Sequence, residues 1–253
     1  MRQFELADDP CVIPGLPLIV RLDGRGFTRL TKEVHRFEAP FDERFRDHMV
    51  ATVTHLMEGS FRFVYGYTQS DEISLLFHTE ADAFDRKVRK LLSVLAGEAS
   101  ACFSLRLGAH GVFDARLCPM PSEQMVVDYF RWRQEDAGRN ALNAHCYWLL
   151  RKEGQSSESA TQQMHRLSVA EKNELLFQRQ INFNDLPAWQ KRGVGLWWES
   201  YERAGFNPHL GVPAVAVRRR LRVEMELPMR EGYEGLVRKL ARGEEVVTGV
   251  DGQ

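Results

Sequence analysis

The sequence contains few cysteines, no long apolar segment and almost no net charge. Its four cysteines include no C-x-x-C pair, and zinc sites usually draw on such pairs, so four reduced thiols are expected. The longest apolar runs fall far short of the ~20 residues that a membrane-spanning helix needs. The N-terminus lacks the apolar stretch of a signal peptide. These absences predict a cytoplasmic protein with no membrane partner.

Several well-known catalytic motifs are also missing. The chain has no G-x-x-x-x-G-K-[ST] loop, no G-x-S-x-G and no H-E-x-x-H, so P-loop, serine-hydrolase and zinc-protease chemistry are disfavoured. A net charge of -1, from 34 basic and 35 acidic residues, excludes a uniformly basic nucleic-acid binder. A local basic patch can still bind phosphates, because binding depends on where the charge lies.

Hydrophobic periodicity predicts an α+β fold in this 253-residue chain. Residues 16–23 and 113–117 are typical of strands, 62–67 and 73–77 of a hairpin joined by 68–72, and 42–59 and 83–105 of helices. The order is β-α-β-β-α-β, the ferredoxin-like unit. Beyond it we expect a helix from Ser122 that is interrupted at Gly138, a polar loop at 154–159, a capping box at Ser168, extended segments at 193–198 and 212–227, and a helix at 233–240.

The clearest candidate site consists of Asp23 with Asp71 and Glu72. In the predicted topology, the end of the first strand lies beside the hairpin turn, so these carboxylates should converge. Such a group can hold two Mg²⁺ ions for phosphoryl or nucleotidyl transfer, and the turn that starts at Gly24 offers backbone N–H groups to phosphates. The alternative is that these acids are ordinary turn residues.

Two arginine-containing segments are weaker candidates for binding RNA. The first is a run of arginines on an extended segment, which is either a phosphate-binding patch or a solvated face: Arg218, Arg219, Arg220 and Arg222. The second is 128–133, where aromatic residues accompany Arg131 and Arg133. This pattern suits base stacking and phosphate contact, although an aromatic helix face packed in the core explains it equally.

The motifs RLDGRGF (21–27) and YGYTQSDEIS (65–74) resemble those of the tRNA-histidine guanylyltransferase superfamily. Further matches follow in the same order and extend the resemblance over roughly residues 16–198. They are APFD (39–42), FDAR (113–116), PS (121–122), DY (128–129), WRQ (132–134), EKNELLF (171–177) and INFN (181–184). Several collinear motifs are far more specific than any one of them.

The resemblance implies a polymerase-type palm that works in the 3′-to-5′ direction on tRNA. ATP or GTP activates the 5′-monophosphate, the 3′-hydroxyl of an incoming nucleotide attacks it, and pyrophosphate is removed when a triphosphate end is formed. Residues 1–135 would form the catalytic core, and residues 136–253 would pack on it and contact tRNA and nucleotide. The family usually forms tetramers, with tRNA crossing the subunits.

The resemblance also implies roles for individual residues. Asp23 and Asp71 would bind two Mg²⁺ ions with the Gly24 carbonyl group, and Glu72 would lie beside them. The predicted nucleotide-binding residues are Asp23, Gly24, Arg25, Gly26, Phe27, Thr28, Ser70, Asp71, Lys172 and Asn182. Lys172 and Asn182 match positions near a second nucleotide or the tRNA 5′ end.

Two departures from the family pattern affect the predicted activity. Where eukaryotic members carry His-Ile-Asn-Asn-Leu-Tyr-Asn, residues 138–144 read GRNALNA, and Ala39 replaces a frequent lysine. The first departure favours the guanylyltransferase-like branch, which repairs tRNA 5′ ends. We therefore predict Mg²⁺-dependent 5′-end repair, with addition of one G to tRNA-His as the alternative. A palm-fold nucleotide cyclase and a non-catalytic RNA-binding module remain as further alternatives.

Overall fold

The structure is a computed structural model, and it describes residues 1, 4, 9–207, 212–244 and 246–247. The strands are β1 (Leu18–Gly24), β2 (Phe63–Gln69), β3 (Glu72–Phe77), β4 (Phe113–Pro119), β5 (Val194–Asn207), β6 (Val212–Glu224) and β7 (Val246–Val247). The α-helices are α1 (Phe27–Arg29), α2 (Glu43–Glu58), α3 (Val88–Leu107), α4 (Glu123–Lys152), α5 (Ser157–His165), α6 (Val169–Phe177), α7 (Ala188–Arg192) and α8 (Glu231–Ala241). A π-helical turn, Leu30–Val34, continues α1, and 3₁₀ turns form at Ala83–Arg86 and Phe183–Asp185.

The strands form one sheet in the order β4-β1-β3-β2-β5-β6, with β7 pairing to β5. All pairings are antiparallel except that of β7 with β5. The predicted α+β class and the β-α-β-β-α-β order of the first four strands are confirmed. This arrangement places the C-terminal end of β1 beside the tip of the β2–β3 hairpin.

Successive side chains of a strand point to opposite faces of the sheet. Both faces of this sheet carry apolar side chains, and helices cover both of them. On one face, Val20, Leu22 and Leu75 pack with the buried sides of α2 and α3. On the other face, Ile19 and Leu76 pack against α4 and α8. A third cluster joins the second half of α4 to α5 and α6: Leu142, Cys146, Leu150, Ala160, Met164 and Leu176.

Local sequence signals set several of the helix ends. Asp42 caps α2 by accepting a hydrogen bond from the N–H of Arg44, and Gly59 follows the last turn. The predicted capping box at Ser168 is present, with Glu171 as its partner at the start of α6. Side-chain acceptors at these positions satisfy N–H groups that the helix itself leaves without partners.

Two predictions about the second half of the chain are wrong. The helix that begins after Ser122 is not interrupted at Gly138 but continues through α4 to Lys152. A single glycine costs a helix only ~1 kcal/mol, which burial of Ala137 and Ala141 on either side outweighs. The predicted boundary between residues 135 and 136 lies within this helix, and the division into a catalytic core and a C-terminal region stays a prediction.

The predicted loop at 154–159 is also partly helical. Ser156 caps α5 by accepting a hydrogen bond from the N–H of Ser159. The helix therefore begins within the segment predicted as a loop. Ala160 and Met164, one turn apart, anchor α5 in the third cluster. No helix in the described part of the chain is both long and apolar enough to span a membrane.

Candidate active site

The tip of the β2–β3 hairpin carries Asp71 in a two-residue turn with Ser70. The strands are longer than predicted, so Gln69 and Glu72 face each other and only Ser70 and Asp71 form the turn. Ser70 has a φ of 55°, and its hydroxyl donates to Asp71 Oδ1 over 3.1 Å. This short turn holds Asp71 in a defined position beside the end of β1.

Burial raises the pKa of Asp71, although hydrogen bonds from its own backbone and from Ser70 oppose the shift. The neighbouring carboxylates of Asp23 and Glu72 raise this pKa further. Asp71 forms no ion pair with any described residue. Its carboxylate therefore lies in an acidic environment without a positively charged partner.

Asp23 lies at the end of β1, opposite Glu72 in β3 and Asp114 in β4. Its Oδ2 lies 3.4 Å from Arg21 and 3.9 Å from Arg116, and its side chain is 31% exposed. The Gly24 N–H donates to the Asp71 carbonyl oxygen over 3.0 Å, which ties the hairpin tip to β1. The predicted convergence of these acids is therefore present.

Glu72 differs from the other two acids, because two arginines neutralise it. Arg21 and Arg133 each donate a hydrogen bond to one of its carboxylate oxygens. Arg133 is buried and also contacts Asp136 over 3.4 Å. Arg133 also lines a cavity beside the hairpin tip. Its guanidinium is paired with Glu72, so a contact with RNA stays a prediction.

The Gly24–Thr28 turn is shaped by close packing. A Cβ atom on Gly24 would lie 2.6 Å from the ring of Phe27, so only glycine fits, and Gly26 has a φ of 72°. The N–H groups of Gly24 and Arg25 already donate to the carbonyl oxygens of Asp71 and Val112. These two groups are therefore not available to a phosphate. Within the predicted anion-binding turn, only the N–H groups after Arg25 remain as candidates.

A cavity of about 280 Å³ opens beside the hairpin tip, between α1, α2 and the middle of α4. Of the predicted nucleotide-binding residues, Phe27, Thr28, Ser70 and Asp71 line it. The other six do not line it: Asp23, Gly24, Arg25, Gly26, Lys172 and Asn182. Lys172 accepts a contact from Cys146 Sγ through its carbonyl oxygen, and the Asn182 side chain binds Asn184 and Asp185 in its own turn.

The same cavity is lined by residues that the sequence analysis did not select. Two tryptophans line it, each covered by a cation: Lys32 lies 4.7 Å from the ring centroid of Trp148, and Arg46 lies 4.7 Å from that of Trp189. Aromatic rings and cations together suit a base and its phosphates. No local motif marks these residues, because they come from separate parts of the chain.

The arginines of β6 have individual environments. Arg220 and Arg222 approach the buried carboxylate of Glu199 at 2.6 and 3.4 Å, so these two predicted RNA contacts have structural partners. Arg219 lies 4.9 Å from the ring centroid of Trp198, and Arg218 is exposed. Arg219 and Arg220 are exposed as well, so RNA binding by these arginines stays a prediction.

The acidic residues at the tip suit a small, hard cation with only two carboxylates. No group of three His, Cys, Asp or Glu side chains with metal-binding geometry occurs within the described ranges. Mg²⁺ commonly takes one or two carboxylates and completes its shell with waters and phosphate oxygens. Asp71 forms no ion pair with a described residue, and Asp23 is approached only at 3.4 and 3.9 Å by Arg21 and Arg116, so these two acids suit that donor set. Glu72, in contrast, is held by two arginines.

An acidic strand end beside a cavity suits nucleotidyl transfer, and comparison with known proteins identifies the family. Residues 1–121 match the family model described as tRNAHis guanylyltransferase, and residues 124–227 match the Thg1 C terminal domain. The chain therefore belongs to the tRNA(His) guanylyltransferase family and is a nucleotidyltransferase.

Individual relatives agree with this assignment. A Drosophila melanogaster protein named probable tRNA(His) guanylyltransferase is 35% identical over 204 residues, which are 77% of this chain and 70% of the relative. A bacterial guanylyltransferase-like protein solved in complex with ATP is 27% identical, with a TM-score of 0.72 over 95% of this chain and 97% of that one. Its GTP complex gives 25% identity and a TM-score of 0.68 over 95% and 96%.

These findings confirm the predicted resemblance and enzyme class. The names of the curated relatives describe guanylyl transfer to tRNA(His). They therefore support the predicted alternative, single G addition, better than the main prediction of 5′-end repair.

Proposed function

We propose that this protein adds a guanylate to the 5′ end of tRNA-His by 3′-to-5′ nucleotidyl transfer. The observation that carries the proposal is the pairing of Asp71, an acid without a cationic partner, with the cavity of about 280 Å³ beside it. A triphosphate bound in that cavity through Mg²⁺ would neutralise the acid. The names of the relatives supply the substrate.

In this proposal, β1–β4 serve as a polymerase-type palm and the hairpin tip holds the reacting groups. Asp23 and Asp71, with the carbonyl group of Gly24, would hold Mg²⁺, which supplies charge neutralisation and alignment of the phosphates when bound. Thr28 and Ser70 border the nucleotide, and the rings of Trp148 and Trp189, each with a cation on one face, line the space for its base. Arg21 and Arg133 offset the charge of the Glu72 carboxylate and fix its side chain, so that it repels the phosphates less.

The reaction then needs positioning more than covalent chemistry from the protein. The 5′-phosphate of the tRNA attacks the α-phosphorus of ATP or GTP, and pyrophosphate leaves. The 3′-hydroxyl of GTP then attacks the activated 5′-phosphorus, the nucleoside monophosphate leaves, and a new phosphodiester bond is formed. We further propose that tRNA spans a homo-oligomer, since the chain has a net charge of only -1.

Template-directed repair of tRNA 5′ ends is the second candidate. The observation that favours it is the GRNALNA stretch at 138–144, which replaces the family's histidine-containing segment with a glycine on α4. Gly138 has no side chain to contact a particular tRNA, so selection of tRNA-His would rest on other residues.

One assay separates these activities. Two 5′-monophosphorylated RNAs, full-length tRNA-His and a tRNA that lacks its first nucleotide, are incubated with Mg²⁺, ATP and all four nucleoside triphosphates. We expect addition of one G to tRNA-His. Extension of the truncated tRNA by the nucleotide complementary to the opposite strand would instead favour repair. Failure to extend either RNA would contradict both proposals and favour a cyclase or a binding module.

The assay has a matched pair of variants. Asp71→Asn removes the acid at the hairpin tip, whereas Asp82→Asn removes an exposed acid before the Ala83–Arg86 turn. We expect only Asp71→Asn to abolish addition, because only Asp71 lies beside the cavity.

A further inference from the structure

A second, solvent-open cavity lies between the segment after α1, the first turns of α2 and the end of α3. Its walls carry two imidazoles and two guanidiniums: His35, Arg44, His48 and Arg106. Asp47 is the one acid among its lining residues. Four side chains that are cationic or can become so therefore converge on one concave surface of the described chain.

The acids near this cavity are already paired. Asp42 holds Arg44 through two hydrogen bonds, of 3.0 Å and 2.6 Å. Asp47 is bound by Arg46 at 2.8 Å. The Asp42–Arg44 pair is neutral, whereas Arg46 is shared between Asp47 and Glu43. Arg106 and the two imidazoles are the basic groups of the cavity wall that form no ion pair with a described residue.

The remaining basic groups have no protein partner for their charge. Arg106 forms no ion pair with any residue that the structure describes, and it is exposed at the last turn of α3. The Nε2 atom of His35 is buried and has no hydrogen-bond partner among the described residues. Buried polar atoms normally have a partner, so this nitrogen suits an acceptor supplied by a ligand.

Aromatic packing holds the imidazoles in place. The His35 ring stacks on Phe37 with centroids 5.7 Å apart and planes at 20°. The His48 ring lies 6.4 Å from the same phenylalanine and 6.1 Å from Phe103. Fixed donors lose little entropy when they bind a ligand.

We propose that this cavity is a phosphate-binding site, in which Arg106, His35 and His48 bind the phosphate oxygens. Guanidinium and imidazolium donors make the charge-assisted hydrogen bonds that phosphate oxygens accept. The phosphate can belong to an RNA backbone or to the phosphate tail of a nucleotide. Phe37 lines both this cavity and the one beside Asp71, so one ligand or two adjacent ligands can occupy them.

Phosphate binding at this site does not depend on the proposed guanylyl transfer. The identity of the natural ligand, RNA or nucleotide, does rest on that proposed function. For that reason the test measures binding and not activity. Inorganic triphosphate, GTP and tRNA are each titrated into the full-length protein without catalysis. The variants are Arg106→Ala and the matched control Lys239→Ala, which likewise removes an exposed cation from the last turn of a helix, here α8.

We expect Arg106→Ala to weaken binding of inorganic triphosphate about tenfold, as the loss of one charge-assisted hydrogen bond predicts, and Lys239→Ala to leave it unchanged. A parallel loss for tRNA alone identifies RNA as the source, and a parallel loss for GTP identifies the nucleotide. If Arg106→Ala binds all three ligands as tightly as the native protein, the proposal is wrong. Asp71→Asn should retain the phosphate binding that depends on Arg106, whether or not this protein catalyses guanylyl transfer.

A pH series adds a second readout that a merely structural arginine would not produce. Burial lowers the pKa of His48, Arg106 and His35 lower it further, and Asp47 and Asp42 act in the opposite direction. Arg44, the other cation on the wall, is already bound to Asp42. Protonated imidazole binds phosphate better, and the pKa of His48 lies below its usual value of 6.5, so affinity should rise as the pH falls below 6.5. His48→Gln should flatten this dependence; an unchanged slope in that variant would count against the site.

Discussion

Glu72 and Glu199 are both held by two arginines, yet they lie in regions of different character. Glu72 binds Arg21 and Arg133 at the hairpin tip. Glu199 binds Arg220 and Arg222 on the β5–β6 ladder. The two clusters use the same chemistry in the same sheet, so their differences must come from their neighbours.

At Glu199 the charges are balanced locally. Its carboxylate is 1% exposed, and Glu224 takes the second contact of Arg222 at 2.6 Å. None of the residues of this cluster lines the cavity beside Asp71. At the hairpin tip, by contrast, Asp71 adds a further acid that no described cation neutralises, and a cavity adjoins it. A paired buried carboxylate is thus typical of structure, and an unpaired one beside a cavity indicates function.

The largest effect should follow from changing the unpaired acid. Asp71→Asn should reduce nucleotide addition about 10³-fold or more, since several kcal/mol of transition-state stabilisation depend on the metal-binding charge. Thermal stability should be unchanged or slightly higher, because burial disfavours the charged form of Asp71. Single-turnover addition and thermal unfolding measure the two effects. An unfolded variant would mean that Asp71 is a structural turn residue.

The paired acid on the ladder should show the opposite pattern. Glu199→Gln leaves two arginines without their shared carboxylate, and we expect a loss of about 1–3 kcal/mol in the free energy of unfolding. This is below the 3–5 kcal/mol of fully buried pairs, because both arginines reach solvent. Denaturant unfolding gives the stability and the addition assay gives the activity. A large loss of activity without a loss of stability would contradict the inference that the Glu199 cluster is structural and the hairpin tip functional.

Asp42 offers a third carboxylate–arginine contact with which to calibrate the comparison. Hydrogen bonds from the Arg44 side chain hold the pKa of Asp42 well below its usual range, although burial opposes them. This lowered pKa stabilises the fold above the unfolded-state value of about 3.9, and the contribution is lost as the pH falls through the folded-state pKa.

Asparagine caps helices as well as aspartate does, so Asp42→Asn isolates the charge. We expect it to cost about 1–2 kcal/mol at neutral pH, since hydrogen bonds to a charged group are lost. Denaturant unfolding at several pH values should show a constant deficit from pH 5 to 8 that shrinks below pH 4. A deficit that stays constant down to pH 2 would contradict the charge argument.

The smallest effect concerns the arginines of β6 as RNA ligands. Arg218→Ala should weaken tRNA binding slightly and reduce the slope of log affinity against log salt by about one, the amount for one lost phosphate contact. Arg222→Ala is the matched control on the same strand, and it should mainly lower stability because it breaks the contact with Glu199. Equal salt slopes for Arg218→Ala and native protein would show that Arg218 is only solvated.

Much of the fold could be predicted from local patterns. The apolar run of β1, the Asp42 and Ser168 caps and the hairpin were visible in the sequence, because each depends on contacts between residues close in the chain. Gly138 misled the prediction, since its low helix propensity is a local signal and the burial of Ala137 and Ala141 is not. The predicted loop at 154–159 contains the helix cap Ser156, because serine favours loops and helix caps alike.

For the site, the sequence by itself determined that Asp23 and Asp71 would meet, because the order of strands and a short turn bring a strand end to a hairpin tip. It did not determine which acids stay unpaired. Only the tertiary structure places Arg21 and Arg133 on Glu72, leaves Asp71 without a cation and brings Trp148 and Trp189 to one cavity. The physical reason is that charge pairing depends on distances of a few ångströms between residues far apart in the chain, and packing alone sets those distances.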